Sequence, residues 1–232
     1  MKVNSVFNAS YEDIDTICVA IGRPRHNLNQ QHIGFVYIDA DSQTKFLHLA
    51  WHFDLRKDDL SNKYLWLDLN LDPLNKVHLA TVCEMVYESN AEGIPYGICV
   101  DGSGFAKNGK YTASQIYSGL TCATFVIQVF HSQGFFIIDI PKWDHKQADK
   151  VWQRQIVQAL EGLASDEHIQ NQRIKIQDGA ARFKPEEVAV AASFPAPPYG
   201  PDSLKEPANI LLNLIADHSS TLALYQLKYI KS

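Results

Sequence analysis

One cysteine and two histidines carry the chemistry legible in this chain. Cys122 lies in the stretch Gly119-Leu-Thr-Cys-Ala-Thr-Phe-Val-Ile-Gln-Val-Phe130. Thr121 is suited to cap a helix there, and Phe125, Val126, Val129 and Phe130 follow at the spacing of a buried helical face. A thiol in the first turn meets unpaired backbone N–H groups and the positive end of the helix dipole, which favour its ionised form. Such a thiolate attacks acyl carbonyls when a base can reach it and a third group orients the base. The plain alternative is a packing residue, since free cysteine is among the most buried residue types.

Nine histidines are available as the base. His32-Ile-Gly-Phe-Val-Tyr-Ile-Asp39 and Lys45-Phe-Leu-His-Leu-Ala-Trp-His52 read as two strands joined by the turn Ala40-Asp-Ser-Gln-Thr44. Alternation places His32, Gly34, Val36 and Ile38 on one face, and Phe46, His48, Ala50 and His52 on one face of the next strand. The hairpin therefore sets His32 beside His48 or His52, and the cysteine helix is expected to pack over that same face. His32 is the expected base and His48 the orienting group, with His52 and Asp54 as alternatives for the third position.

Other elements must position these groups. Residues 14–21 read as an early apolar strand holding Cys18, and Tyr64-Leu-Trp-Leu-Asp-Leu69 as a further strand. Lys76 to Asn90 reads as a helix with Leu79, Val82, Cys83, Val86 and Tyr87 on one face. The glycine-rich stretch 93–104 lacks the glycine–lysine pattern of a phosphate loop. Gly134 ends the cysteine helix. A long amphipathic helix is expected over 144–163 and a short one over 185–192. The proline-rich run 194–207 reads as a linker or strap. Residues 208–232 read as a helix followed by the alternating strand-like segment 221–229.

Composition narrows the class. Hydrophobic content of 46% and charged content of 20% suit a globular chain of 232 residues. A net charge of −5 argues against a nucleic-acid partner. No window reaches the ~18 apolar residues of a membrane span, and Met1-Lys-Val-Asn-Ser-Val-Phe-Asn lacks the apolar core of a signal peptide. Cys18, Cys83, Cys99 and Cys122 form no close CxxC pair, so they read as reduced thiols. The expected compartment is the cytoplasm, of the producing cell or of a cell into which the protein is delivered. Oligomeric state has no signature.

The motifs His32-Ile-Gly-Phe-Val-Tyr-Ile, Phe46-Leu-His-Leu-Ala and Thr121-Cys-Ala-Thr-Phe-Val resemble the lecithin:retinol acyltransferase-like group. That group belongs to the circularly permuted, NlpC-type branch of papain-like enzymes, where histidine precedes cysteine. Pro95-Tyr96-Gly97 is similar to a feature of bacterial permuted members. The likeness spans roughly residues 31–134. It implies an α+β fold with an antiparallel sheet packed against the nucleophile helix; residues 1–193 are expected to form the catalytic domain, with extra helices after residue 140 and the helix and strand of 208–232 packing on the same domain. It also implies Cys122 as nucleophile, His32 as base and His48 as the polar third residue. The two histidines are 16 residues apart, longer than usual for the acyltransferases. Thr121-Cys-Ala-Thr replaces the Asn-Cys-Glu-His common around their nucleophile.

The expected reaction is hydrolysis of an amide, peptide or other acyl bond through an acyl-enzyme on Cys122. The Cys122 N–H would donate to the oxyanion, and the chemistry calls for no metal or organic cofactor. The alternatives are a lipid acyl transfer of phospholipase type and a binding module that keeps the fold without using the thiol. His48-x-x-x-His52 has metal-ligand spacing only on a helix, and this segment reads as strand. His145 and His168 read as solvated, and His131 as a charge complementing a helix C-terminus.

Overall fold

Near-continuous apolar runs build the central strands of the sheet, as Ile17–Gly22 (Ile-Cys-Val-Ala-Ile-Gly) is buried at every position. The computed structural model describes residues 1–23, 30–98 and 102–229, with side chains as far as 224; Cys99 lies outside the described residues. Strands β1 (Ile17–Gly22), β2 (His32–Ile38), β3 (Thr44–Trp51), β4 (Asp54–Asp58) and β5 (Tyr64–Asp68) form one antiparallel sheet in the order β4-β3-β2-β1-β5. The central β2 places Phe35 opposite Val19 on one side and Leu47 on the other. Asp39 shapes the β2–β3 turn: its carboxylate accepts the Asp41 and Gln43 N–H groups at 3.0 and 2.9 Å.

The sheet has two buried faces. Val19, Ile21, Ile33, Phe35, Leu47 and Leu67 join the main core beneath the helices. Cys18, Ala20, Val36, Phe46, Tyr64 and Trp66 form a second cluster, closed by Ile14, Leu60 and the N-terminal Val6 and Tyr11. The chain is thus α+β, with helices α1 (Pro73–Ser89), α2 (Cys122–Ser132), α3 (Asp149–Leu160), α4 (Asp166–Gln177), α5 (Pro185–Ser193) and α6 (Pro201–Tyr229). A ribbon of β6 (Gly104–Phe105) and β7 (Tyr111–Thr112) stands apart from the main sheet.

Helix α2 packs on the main-core face, with the Phe125 and Phe130 rings 6.5 and 5.3 Å from Phe35. Helix α5 lies against α2 and the sheet. Its buried run Val188, Ala189, Val190, Ala191 and Ala192 is made of small residues that allow close approach. No helix among the described residues is long and apolar enough to cross a membrane.

Four expectations need correction. The cysteine helix covers the face opposite His32 and His48, because Ile33, Phe35 and Leu47 form the apolar surface that α2 buries. Strand β4 has no counterpart in the sequence reading; it pairs only with β3, and an edge strand accommodates the charged run Asp-Leu-Arg-Lys-Asp. The single helix expected over 144–163 is shorter, and α4 follows it after Gly162, which has φ 79°. The strand-like segment 221–229 continues α6, so the strap is residues 194–200 and the C-terminal part carries no strand among the described residues. Leu204, Ala208, Leu211, Ile215 and Leu222 hold one buried helical stripe, and that periodicity outweighs the local alternation.

Candidate active site

The first turn of α2 is fixed by a reciprocal cap. Thr124 N–H donates to Thr121 Oγ1 at 3.1 Å, and Thr121 N–H donates to Thr124 Oγ1 at 2.7 Å. Threonine here takes the role that glutamate or glutamine has in the usual capping box. Thr121→Ala is therefore expected to destabilise the fold by about 1.5 kcal/mol in urea titrations, and Thr121→Ser to stay close to wild type. At the other end, Phe135 N–H donates to the Phe130 carbonyl and Gly134 N–H to the His131 carbonyl, with Gly134 at φ 80°. This is the glycine stop expected from the sequence.

Two glycines set what lies beside Cys122. Gly97 N–H donates to the Leu120 carbonyl at 3.1 Å, and Leu120 N–H to the Pro95 carbonyl at 2.9 Å. A Cβ on Gly119 would sit 2.5 Å from the Pro95 oxygen, and one on Gly97 2.8 Å from Gly119 Cα. Only this close crossing brings Tyr96 against the start of α2.

His32 and His48 meet as expected. His32 Nε2 and His48 Nδ1 are 2.8 Å apart, and His48 Nε2 lies 3.3 Å from Asp58 Oδ2. An ionised carboxylate can only accept, so His48 donates to Asp58 through Nε2 and accepts from His32 through Nδ1. His32 is then protonated on Nε2 and bare on Nδ1, the tautomer a general base requires. The His48 ring stacks on Phe46 at 4.4 Å.

The third-residue alternatives are placed elsewhere. A bulge between Leu49 and Trp51 ends β3 and carries His52 off the histidine face. There His52 Nδ1 accepts the Tyr96 N–H at 3.0 Å, while His168 Nε2 donates to the Tyr96 carbonyl at 2.8 Å. Asp54 is held by Arg56 at 2.8 and 2.6 Å. Asp58, which the sequence reading passed over, supplies the carboxylate; its signal is the alternation of Asp54, Arg56 and Asp58 along an edge strand.

Cys122 is 4% exposed. Burial pushes its thiol up; the Ile33 N–H, the Tyr96 hydroxyl and the N–H groups of Ala123 and Cys122 itself pull the other way. Burial, with the charges of His48 and Arg56, pulls His32 down to about 3. His48 is lowered by burial, with Asp58 opposing. At neutral pH the resting site thus holds a thiol and an uncharged imidazole, in place of the thiolate–imidazolium pair that a papain-type site would hold. No hydrogen bond joins His32 to Cys122. The sulfur instead meets the sheet at Ile33, one residue along from His32, and Tyr64 neighbours both groups.

A crevice of about 10 Å³ opens beside the thiol, between Gln31, Tyr96 and Thr121 on one side and Trp152, Arg182 and Phe183 on the other. Three buried N–H groups of its lining residues, Gln31 Nε2, Trp152 Nε1 and Arg182 Nε, have no acceptor. A larger apolar hollow of about 260 Å³ lies at the far end of α2, among Leu71, Phe130, Phe135, Phe136 and Phe194.

His168 and His145, expected to be solvated, are less exposed than that. His168 is 4% exposed, because α4 clamps the 96–98 loop, where Gln172 accepts the Ile98 N–H at 3.0 Å. Both His145 ring nitrogens are buried without a partner. His131 does sit in the last turn of α2, but burial lowers it, so it is neutral and adds no charge to the dipole. Comparison with family models, with curated proteins and with solved structures finds no match to this chain.

Proposed function

We propose that this chain is a cysteine hydrolase of the permuted papain-like type, cleaving an amide, peptide or related acyl bond. The observation that carries this reading is the hydrogen-bonded row His32–His48–Asp58, whose first member adjoins the strand position against which the Cys122 thiol rests. For the reaction His32 must come within reach of Cys122, which lies across β2 from it in the resting structure; its bare Nδ1 then accepts the thiol proton as sulfur attacks the carbonyl carbon. The tetrahedral oxyanion is met by the Cys122 N–H at the capped helix start. Its collapse expels the leaving group, which takes the proton from His32, and water then hydrolyses the thioester with His32 again as base. His48 and Asp58 hold the tautomer throughout.

The cover over Cys122 favours a second reading, in which the thiol is a packing residue of a binding module. An activated ester separates the two. With p-nitrophenyl acetate, wild type is expected to release one burst of p-nitrophenolate and carry an acetyl thioester on Cys122, detected by peptide mass spectrometry. His32→Gln should slow acylation by about 10²–10³-fold. Cys122→Ala should abolish the burst, and the buried Cys18 and Cys83 should stay unmodified. Acylation at Cys122 that is indifferent to His32, or no acylation there, selects the packing reading.

A further inference from the structure

We propose that the crevice beside Cys122 is a carboxylate-binding subsite, so that the acyl donor carries a carboxylate close to the carbonyl under attack; this rests on Cys122 being the nucleophile. Three residues with unpartnered N–H donors, from three separate segments, line one small space: Gln31 just before β2, Trp152 on α3, and Arg182 ahead of α5. Gln31 is 7% exposed, and its Nε2, like Trp152 Nε1 and Arg182 Nε, is out of solvent and without an acceptor. Buried donors are ordinarily satisfied, so several converging beside a thiol call for an acceptor brought by a ligand.

The chemistry of the donors selects the ligand. Arg182 is held in plane: its guanidinium lies 4.0 Å over the Trp152 ring, and Nη1 is 3.5 Å from Asp149 Oδ1. That leaves the Nε edge, and a guanidinium edge matches the two oxygens of a planar carboxylate. The acid beside it, Asp149, is already turned to Nη1. Glu186, which also feels Arg182, is pushed up by burial and is the more easily neutralised. An indole N–H and an amide N–H complete the set of donors, and Cys122 lines the same crevice. The crevice of about 10 Å³ holds no more than about one water as it stands, so a carboxylate enters only as the cover over Cys122 opens.

Two alkylating reagents of nearly equal size test the subsite. Iodoacetate carries a carboxylate and iodoacetamide a neutral amide. Each forms a sulfur–carbon bond at Cys122 and expels iodide, while the thiol proton passes to His32 and then to solvent. Opening of the cover and ionisation of the thiol are common to both, so they cancel in the ratio of the two rates. Normalised to the same ratio for free cysteine, the wild-type preference for iodoacetate is expected to be about tenfold, the worth of one charge-assisted contact. The preference should fall to about one in Arg182→Gln and be reduced in Trp152→Phe, which keeps the ring and removes the N–H. Arg182→Lys keeps the charge without the fork and should recover only part of it.

A wild-type ratio at or below that of free cysteine overturns the subsite, as does a preference that survives both Arg182→Gln and Trp152→Phe. Equal alkylation by both reagents removes the subsite and leaves the nucleophile reading in place. Resistance of Cys122 to both reagents in the folded protein removes the two together.

Discussion

Acidification from about pH 7.5 to about pH 5 is expected to remove about 3 kcal/mol of folding stability. Two imidazoles carry most of the effect. His32 is pulled down to about 3 by burial and by the charges of His48 and Arg56. His52 is pulled down to about 4 by burial and by His168. Their ordinary value is 6.5, so below that pH the unfolded chain takes up protons that the folded chain refuses. Stability is therefore complete above about 6.5 and is lost as pH falls toward the folded values. At about pH 5 the buried His32 accounts for about 2 kcal/mol of that loss and the partly exposed His52, reduced by solvent screening, for about 1 kcal/mol. His48, His131 and His168, also lowered, act in the same direction, and the raised carboxyls of Glu186 and Glu187 oppose.

The structural reason is the same at both sites. His52 Nδ1 accepts the Tyr96 N–H and His48 Nδ1 faces His32 Nε2, so a second proton on either row places two donors face to face. Urea unfolding at the two pH values should show the loss in wild type. His32→Gln should shrink it by about 2 kcal/mol and His52→Gln by about 1 kcal/mol. Equal stability at both pH values would show that these rings are not held neutral. The site itself should be affected as well: acid frees Tyr96, and with it one wall of the thiol crevice.

How far the site was legible depends on the range of the interactions that build it. The cap at Thr121, the apolar stripe from Phe125 to Phe130 and the stop at Gly134 are local, and each is readable from spacing. The His32–His48 contact follows from alternation across a tight hairpin, which is also local. The burial that pushes the thiol up is long-range in origin. Trp152, Arg182 and Phe183 cover Cys122 from the far side of the chain, and no pattern near residue 122 announces them. The sheet face that α2 takes was misread because the histidines marked one face, whereas burial of Ile33, Phe35 and Leu47 decided for the other. His52 was displaced by a bulge, and a single extra residue is invisible to a rule of two. Asp58 lay in a charged run that reads as a turn until β3 is there to pair with it.

Gly34→Ala is expected to destabilise the fold by about 3 kcal/mol and to break the histidine row. Alanine in a strand ordinarily improves on glycine, because it loses less backbone entropy on folding and forms strand more readily. The expected sign here is the reverse. A Cβ at Gly34 would lie 2.5 Å from the Leu47 carbonyl oxygen, 2.7 Å from His48 Cβ and 2.7 Å from Phe46 Cε2. Two of those atoms cannot swing aside, since the carbonyl and the His48 Cβ are fixed by the β3 backbone. β3 must therefore move away from β2, and the 2.8 Å contact between His32 and His48 opens with it. Gly134→Ala is the control: nothing lies within 4 Å of its Cβ, and only the positive φ of 80° is strained, which costs about 1 kcal/mol. Urea titration reads the difference between the two variants, and acylation by p-nitrophenyl acetate reads the histidine row. If Gly34→Ala proves as stable as wild type while still slowing acylation, the glycine serves orientation alone and β3 yields more easily than a packed sheet should. If it alters neither, then β2 and β3 do not approach as closely as these distances require, and His48 is not the group that holds His32.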